Sequence, residues 1–249
     1  MHDMREAHDS REANVGKILP CYSPEPGIGS YPDYCLVQEP PVPSPIPSMT
    51  GIFMTLEGGE GSGKTTQALR LCRSLTERGY EVLHTREPGG TPVAERMRGI
   101  LLDHSAEALA PETEALLILA ARRQHVDHVI KPALKRGMLV VCDRFSDSTM
   151  AYQGYARGLD LKRLRVMNEW ATGALVPHLT LLFDVSISIG LKRRRGHAGG
   201  QNRLDLETRR FHADVRAGFL ALAKREPRRI KIIDAKPSLD SVAATVETL

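Results

Sequence analysis

The sequence has few cysteines, few aromatic residues and no long apolar run. Its four cysteines, at positions 21, 35, 72 and 142, form neither a CxxC pair nor a cluster with histidine. This pattern argues against a disulfide scaffold or a structural zinc site, and it favours a reducing, cytoplasmic compartment. No apolar run approaches the roughly 20 residues that a membrane-spanning helix needs, so we predict no membrane partner.

The overall composition is that of a folded protein. Apolar residues make up 41% of the 249 residues and charged residues 26%, which suffices for a core and argues against disorder of the whole chain. The length fits one large α/β domain or two small ones. The net charge of +4 permits phosphate or nucleic-acid partners without requiring them.

Residues 1–48 differ from the rest of the chain. Nine of the sixteen prolines lie between Pro20 and Pro47, and residues 1–49 have a net charge of −4, which leaves +8 for residues 50–249. Because proline-dense sequence favours extended backbone, we predict a disordered leader over 1–48 and one domain over 49–249. A tail, a proline-rich docking segment and upstream sequence read from an early start codon all stay open, and Met49 favours the last.

From residue 52 onward, short apolar runs alternate with helical patterns. We predict strands at residues 52–56, 80–85, 138–142, 179–185 and 230–233. We predict helices at residues 65–78 and 114–135, the latter as one helix or two. This alternation favours an α/β fold with a doubly wound parallel sheet of about five strands and helices on both faces.

A glycine-rich motif follows the first predicted strand. It fits G-x-x-x-x-G-K-[ST] at every fixed position, and its residues are Gly58, Gly59, Glu60, Gly61, Ser62, Gly63, Lys64 and Thr65. Such a loop points successive backbone N–H groups at a phosphate, Lys64 supplies a cation, and the Thr65 hydroxyl suits Mg²⁺. The motif predicts a nucleoside triphosphate site, but ATPases, GTPases and small-molecule kinases share it.

Two charged motifs follow the second and third predicted strands. The proline–glycine turn Arg86–Thr91 holds Glu87, and Asp143 precedes Arg144. Because strand ends at one edge of a parallel sheet meet at the ligand crevice, Asp143 could position Mg²⁺ and Arg144 a phosphate. Taken alone, the motifs also fit a solvent-facing turn and a structural ion pair.

Two further segments offer groups that suit a base and a sugar. The segment Ser148–Gly154 carries hydroxyls, an amide and a phenol close together in sequence. On the long predicted helix, Ile118 lies four residues before Arg122 and therefore shares its face, where the pair could flank a heterocycle. A core isoleucine beside a surface arginine is an equally good interpretation of that pair in isolation.

An arginine-rich segment predicts a lid. Lys192–Arg195 is followed by the glycine-rich stretch 196–200 and by Arg203. Basic residues around flexible glycines suit a lid that closes over phosphates and excludes water during phosphoryl transfer. A solvated basic face or a nucleic-acid patch is the alternative, which the lack of aromatic residues among the arginines weakens.

Together these segments resemble the bacterial thymidylate kinase family of P-loop nucleoside monophosphate kinases. The matching stretches are Leu56–Thr66, Arg86–Thr91, Asp143–Phe145, Ala151–Gly154 and the arginine-rich lid. They occur in the family's order over residues 49–249, and the combination is far more specific than any piece outside the P-loop. The resemblance implies transfer of the γ-phosphoryl group of Mg-ATP to dTMP by a homodimer, with ATP and Mg²⁺ as cofactors and no nucleic-acid partner.

The resemblance also implies roles for individual residues. The P-loop would hold the ATP phosphates, Thr65 and Asp143 the Mg²⁺, and Glu60 would face the acceptor sugar. Lys64, Glu60, Asp143, Arg144 and Arg195 are the catalytic candidates, and the lid arginines Arg193 and Arg203 are further candidates for contact with ATP. The acceptor would be bound by Glu87, Arg98, Ile118, Arg122, Arg144, Thr149, Tyr152 and Gln153, with Arg122 at the thymine edge and Arg144, assisted by Arg98, at the phosphate.

Two positions depart from the family pattern. Ile118 stands where the family usually has a phenylalanine that stacks on thymine, and because base–aromatic stacking is worth about 1–3 kcal/mol, we predict weaker dTMP binding. Asn202 stands where an aspartate commonly precedes the lid arginine, which leaves the lid geometry open. A kinase of another nucleoside monophosphate, a non-catalytic nucleotide-binding paralogue and a P-loop nucleic-acid motor remain as rivals.

Overall fold

The computed structural model describes residues 51–103, 107–196 and 202–248. The leader and Met49 lie outside these residues, as does the lid stretch 197–201, so the predicted leader stays a prediction. Within the described residues, no helix is long and apolar enough to cross a bilayer.

Five strands form one sheet, as predicted. They are β1 (Ile52–Glu57), β2 (Val82–Arg86), β3 (Leu139–Asp143), β4 (Leu179–Asp184) and β5 (Ile230–Asp234). Their order in the sheet is β2-β3-β1-β4-β5, and all four neighbouring pairs are parallel. The predicted strand positions are confirmed to within about two residues, with β2 beginning two residues later than its pattern indicated.

Helices fill the connections between the strands. The first half of the fold contains α1 (Lys64–Glu77), α2 (Pro92–Leu102), α3 (Pro111–His125), a π-helical segment (Val126–Ile130) and α4 (Lys131–Lys135). The second half contains α5 (Ser146–Thr149), a second π-helical segment (Met150–Ala156), α6 (Leu161–Thr172), α7 (Ile187–Arg195), a 3₁₀ turn (Arg203–Leu206), α8 (Arg209–Arg225) and α9 (Leu239–Glu247). The predicted helix over 114–135 is therefore two α-helices joined by a π-helical segment.

Both faces of the sheet are covered, because successive strand residues point to opposite sides. On β3, Leu139 and Val141 pack in a core cluster with residues of α1 and α9. The alternate residues Val140 and Cys142 pack in a second cluster with Val126 and its neighbours from the first π-helical segment and α4. All five residues of β3 are buried, which is why its sequence reads as one continuous apolar run.

Candidate active site

The P-loop joins the central strand β1 to α1 at the carboxyl edge of the sheet. Its glycines are required by close approaches: Gly58 has φ 141°, and a Cβ there would lie 2.4 Å from the Phe183 carbonyl oxygen. Lys64 folds back over the loop, where its Nζ donates to the Gly59 carbonyl at 2.8 Å and to Ser62 Oγ at 3.3 Å. Burial and the nearby Arg144 lower the pKa of Lys64 to about 8. The loop therefore holds its cation ready beside the phosphate cradle.

Thr65, in the first turn of α1, lies against Asp143, the last residue of β3. The Thr65 hydroxyl donates to Asp143 Oδ2 at 2.5 Å. This contact arises because β1 and β3 are adjacent and in register, with Leu56 opposite Asp143. Hydroxyl and carboxylate oxygens are the hard ligands that Mg²⁺ prefers, so the two residues fit a magnesium ion that also contacts bound phosphates.

Glu60, Arg144 and Tyr152 form one cluster at the mouth of the P-loop. Both Arg144 Nη2 and the Tyr152 hydroxyl donate to Glu60 Oε1, at 2.8 and 2.7 Å, and the guanidinium lies over the Tyr152 ring. Burial would raise the pKa of Glu60, but Arg144 and Lys64 outweigh it and bring the pKa to about 2. The carboxylate is therefore ionised at neutral pH and orients both partners.

Arg122 lies in a buried network with only 2% of its surface exposed. Its Nε donates to Glu87 Oε2 at 2.7 Å, and its Nη2 donates to the Phe145 carbonyl at 3.0 Å. Its Nη1 donates to Thr149 Oγ1 at 2.8 Å and to Asn168 Oδ1 at 2.6 Å. Described residues thus engage four of its five N–H donors, and the orientation of the guanidinium is fixed.

A buried histidine extends this network to the Arg86–Thr91 turn. His125 Nδ1 lies 3.0 Å from Glu87 Oε1, and its Nε2 lies 2.7 Å from Thr85 Oγ1. Burial would raise the pKa of Glu87, but Arg122 and His125 lower it. Beside the turn, Arg98 Nη1 donates to the Pro88 carbonyl at 2.9 Å. The network therefore fixes Glu87, while Arg98 stays half-buried at the turn's outer side.

Sequence reasoning missed two members of this network, Asn168 and His125. Asn168 on α6 is 46 positions from Arg122 in sequence, and no local pattern marks it. His125 lies three residues after Arg122 on α3, so its helical spacing was an available signal.

One face of α3 lines the site from its first turn onward. Glu114, Ile118 and Arg122 follow one another at intervals of four residues, and Ile118 is partly buried between the other two. Gln153 is buried and its Nε2 donates to Glu114 Oε1 at 2.7 Å. The structure thus brings Ile118, Arg122, Thr149, Tyr152 and Gln153 into one region, with Gln153 turned toward Glu114.

The hydrogen bonds of the lid arginines Arg193 and Arg203 go to groups outside the P-loop. Arg193 Nη1 donates to the Ala235 carbonyl at 2.8 Å, in the loop after β5. Arg203 pairs with Glu114 at the start of α3 and donates to the Leu101 carbonyl at the end of α2. Arg195 at the end of α7 is exposed. The structure therefore does not bring these three arginines together at the ATP phosphates.

Asn202, the departure from the family pattern, caps the 3₁₀ turn of the lid. Its side chain accepts from the backbone N–H groups of Leu204 and Asp205, and Asp205 accepts in return from the Asn202 N–H. Arg194 also pairs with Asp205. Asparagine serves as a helix cap about as well as aspartate, so this part of the lid keeps a defined geometry.

The lid helix α7 packs directly on the P-loop through two glycines. A Cβ on Gly61 would lie 2.0 Å from the Gly190 carbonyl oxygen, and a Cβ on Gly190 would lie 2.4 Å from the Glu60 carbonyl oxygen. Only hydrogen atoms fit between these backbones. A shift of α7 toward the P-loop would therefore require the loop to shift as well.

Comparison with known proteins gives a consistent result. A family model described as Thymidylate kinase matches residues 56–246. Thymidylate kinase of Thermomicrobium roseum is 53% identical over 194 residues, covering 78% of this chain and 91% of that protein. Thymidylate kinase of Pseudomonas savastanoi pv. phaseolicola is 49% identical over 201 residues, covering 81% and 95%. The crystal structure of thymidylate kinase from Ehrlichia chaffeensis matches with a TM-score of 0.65 at 35% identity, over 80% of this chain and 97% of that one.

Proposed function

The chain belongs to the thymidylate kinase family and phosphorylates dTMP; from this premise we propose that its site transfers the γ-phosphoryl group of Mg-ATP to the dTMP 5′-phosphate, giving dTDP and ADP. One observation carries the proposal. The P-loop cation, the Thr65–Asp143 pair and the Arg144–Glu60 pair meet at the carboxyl ends of the adjacent strands β1 and β3. A donor phosphate and an acceptor phosphate can therefore lie side by side.

The donor side is built from the P-loop and its lysine. Backbone N–H groups of the loop and the start of α1 bind the ATP phosphates, and Lys64 exchanges its contact with the Gly59 carbonyl for the β- and γ-phosphates. Thr65 and Asp143 would hold Mg²⁺, which neutralises charge on the phosphates when bound. Positioning and charge neutralisation thus account for catalysis on this side.

The acceptor phosphate lies at Arg144. The guanidinium is held by Glu60 and projects from the loop after β3, and it has two planar N–H edges suited to phosphate oxygens. Arg98, beside the Arg86–Thr91 turn, is the secondary contact. Because the attacking group is already an anionic phosphate, no side chain has to remove a proton from it.

The thymine and deoxyribose lie between α3 and the second π-helical segment. Arg122 and Thr149 form one hydrogen-bonded unit, so the base edge meets a donor group of fixed orientation. Ile118 packs on the face of the base, Tyr152 lies against the sugar, and Gln153 and Glu87 support these groups from behind. Fixed donors suit the O4 carbonyl of thymine and oppose the amino group of cytosine.

The lid closes over both phosphates during transfer. Arg193 and Arg203 then leave their carbonyl and carboxylate partners, and Arg195 swings in from the end of α7. Glu114 keeps its hydrogen bonds from Gln153 and Arg157 when Arg203 leaves, and the loss of the other contacts is offset by contacts with the more highly charged phosphates. Closure also removes water from the reacting centre.

The enzyme works as a cytoplasmic homodimer. Three exposed apolar side chains, Leu116 of α3 and Val166 and Trp170 of α6, support this assembly, with Trp170 75% exposed. The two helices are joined by a hydrogen bond from Arg123 to the Trp170 carbonyl, so the three residues share one surface, the outer patch. Cys72 and Cys142 are free thiols, which suits a reducing compartment.

A coupled assay for ADP formation tests the substrate assignment. The full chain is supplied with Mg-ATP and, in separate reactions, dTMP, dUMP, dCMP or dGMP. We expect dTMP to give the highest kcat/KM and dCMP to be rejected at the base edge. Turnover of another monophosphate in preference to dTMP, or no turnover at all, contradicts the proposal.

A further inference from the structure

The backbone at Arg144 is held in a conformation that arginine rarely adopts. Its φ is 71°, in the left-handed region that favours glycine. The Arg144 N–H donates to the Leu56 carbonyl at 3.0 Å. One hydrogen bond before the turn does not fix the residues beyond it, so other groups have to hold the chain after Arg144 in place.

Glu57 holds the chain immediately after Arg144. It is the last residue of β1 and has no exposed surface. Its Oε1 accepts from the backbone N–H groups of Phe145 at 2.8 Å and Ser148 at 3.2 Å, and its Oε2 accepts from the Ser148 hydroxyl at 2.6 Å. The carboxylate therefore binds both ends of the short turn that comes after Arg144.

The neighbours of Glu57 bind the same arginine. The Gly58 carbonyl accepts from Arg144 Nη1 at 3.1 Å, and Ser148, itself held by Glu57, accepts from the same nitrogen at 3.2 Å. Three consecutive residues thus hold this region: Leu56 binds the Arg144 backbone, Glu57 binds the turn that follows, and Gly58 binds the Arg144 guanidinium. Glu57 has no exposed surface, so it acts on the site through these neighbours rather than by contact with a substrate.

The charges around Glu57 come from three elements. The groups that face it are Arg144 and the Cys142 thiol from β3 and its loop, Asp147 from α5 and Lys64 from α1. Asp147 is a residue of the turn, and Arg229 donates to both of its carboxylate oxygens. Burial and the charge of Asp147 raise the pKa of Glu57 to about 7, against the opposing effect of Arg144.

We propose that Glu57 is a positioning residue that fixes Arg144 for the acceptor phosphate and so controls dTMP binding without touching dTMP. The inference rests on the proposed contact between Arg144 and that phosphate. The ionised carboxylate is the stronger acceptor for the three donors of the turn, so deprotonation of Glu57 tightens the turn. The affinity for the acceptor therefore depends on the ionisation of a residue outside the substrate site.

Two variants separate geometry from charge. Glu57→Gln keeps an oxygen for the two backbone donors, whereas Glu57→Ala removes every acceptor. We expect Glu57→Ala to raise the KM for dTMP by about 10- to 100-fold while the KM for ATP stays within about twofold, because misplacement of one binding group has effects of this size. Glu57→Gln should restore most of the lost dTMP affinity at pH 6.

The pH dependence of kcat/KM for dTMP distinguishes this role from a merely structural one, which would not depend on the ionisation of Glu57. The phosphate of dTMP itself titrates near pH 6, but this cancels in the ratio of wild-type to Glu57→Gln kcat/KM for dTMP. We expect the ratio to rise with pH through about 7 and then to level off. Asp184→Asn is the matched control, since Asp184 ends the neighbouring strand β4 and lines the cavity beside the P-loop, but its carboxylate pairs with Arg216 instead of with the turn.

Three results would overturn the inference. The first is a Glu57→Ala variant in which the KM for ATP changes as much as the KM for dTMP. The second is a ratio of wild-type to Glu57→Gln kcat/KM that does not vary with pH. The third is a ratio of wild-type to Asp184→Asn kcat/KM that rises through the same pH range. If Glu57→Ala does not fold, Glu57→Gln still decides through its pH profile. Absence of dTMP turnover by the wild-type chain would contradict the proposed function instead. In that case, the affinity for dTMP, measured by calorimetry without ATP in the wild type and the Glu57 variants, tests the role of Glu57 by itself.

Discussion

Arg122 combines a structural and a recognition role in one side chain. Its guanidinium balances the buried carboxylate of Glu87, and the same group holds the Thr149 hydroxyl. Removal of one partner of a buried ion pair costs about 3–5 kcal/mol, because the other charge stays buried. Effects on stability and on substrate binding therefore have to be measured separately at this position.

Substitution of Arg122 should weaken acceptor binding more than donor binding. We expect Arg122→Lys, which keeps the charge and loses the fork, to raise the KM for dTMP by about tenfold or more with the KM for ATP nearly unchanged. Steady-state kinetics for both substrates, with denaturant unfolding as a parallel measurement, check this. An unchanged dTMP affinity in a folded Arg122→Lys protein would refute the base-site assignment.

Ile118 is the most informative single position for the base. Because it stands partly buried between Glu114 and Arg122, a phenylalanine there would reach the same space with a flat ring. We expect Ile118→Phe to tighten dTMP binding by about fivefold or more, within the 1–3 kcal/mol of base–aromatic stacking. Calorimetric titration with dTMP measures this, and Ile118→Leu serves as the aliphatic control. Weaker binding by the phenylalanine variant would show that the base does not lie against this face.

At the scale of elements, the contact between α7 and the P-loop leaves no room for a side chain at either glycine. We expect Gly190→Ala to lower kcat/KM for ATP, because a Cβ 2.4 Å from the Glu60 carbonyl oxygen forces the lid helix or the loop to shift. Gly99→Ala on α2 is the control, since a Cβ there meets nothing within 4 Å. The control should keep full activity and gain about 0.5–1 kcal/mol in the free energy of unfolding. Equal activity of the two variants would rule out the proposed coupling.

The elements that sequence predicts well are those whose signal is local. The apolar run that became β3 and the glycine spacing of the P-loop each lie within a few residues, and both predictions are confirmed. The two π-helical segments have no such signal, since a change from α to π hydrogen bonding leaves the apolar spacing almost unaltered. Sequence therefore predicted where helix lies but not how its turns are wound.

The site residues also fall into those that a local sequence pattern predicts and those that it does not. Thr65 was predicted from the P-loop motif and Asp143 from its position at a strand end, and the structure brings the two together by a hydrogen bond. Asn168 binds Arg122 from 46 positions away and Glu114 binds Arg203 from 89 positions away, and both contacts depend on how helices pack. Long-range side-chain pairs of this kind leave no pattern in a single sequence.

At the scale of the whole molecule, the outer patch predicts a change of assembly. We expect Trp170→Glu to shift the protein from dimer to monomer, because a buried aromatic anchor carries much of the energy of an interface and a charge there stays unpaired. Sedimentation velocity measures the change. Ile232→Glu is the control, as Ile232 is a similarly exposed apolar residue, 53% exposed on the edge strand β5, and is not part of the outer patch. A Trp170→Glu protein that sediments like the wild type would exclude this surface.

The position of β1 at the centre of the sheet has a consequence for synthesis of the protein on the ribosome. Its neighbours are β3 and β4, which begin at residues 139 and 179, whereas the next strand made, β2, pairs only with β3. At about 5–20 residues per second, the nascent chain carries an unpaired β1 for on the order of ten seconds. The strand that leads into the P-loop is thus made early and paired late, and during that interval it has no neighbouring strand to pair with.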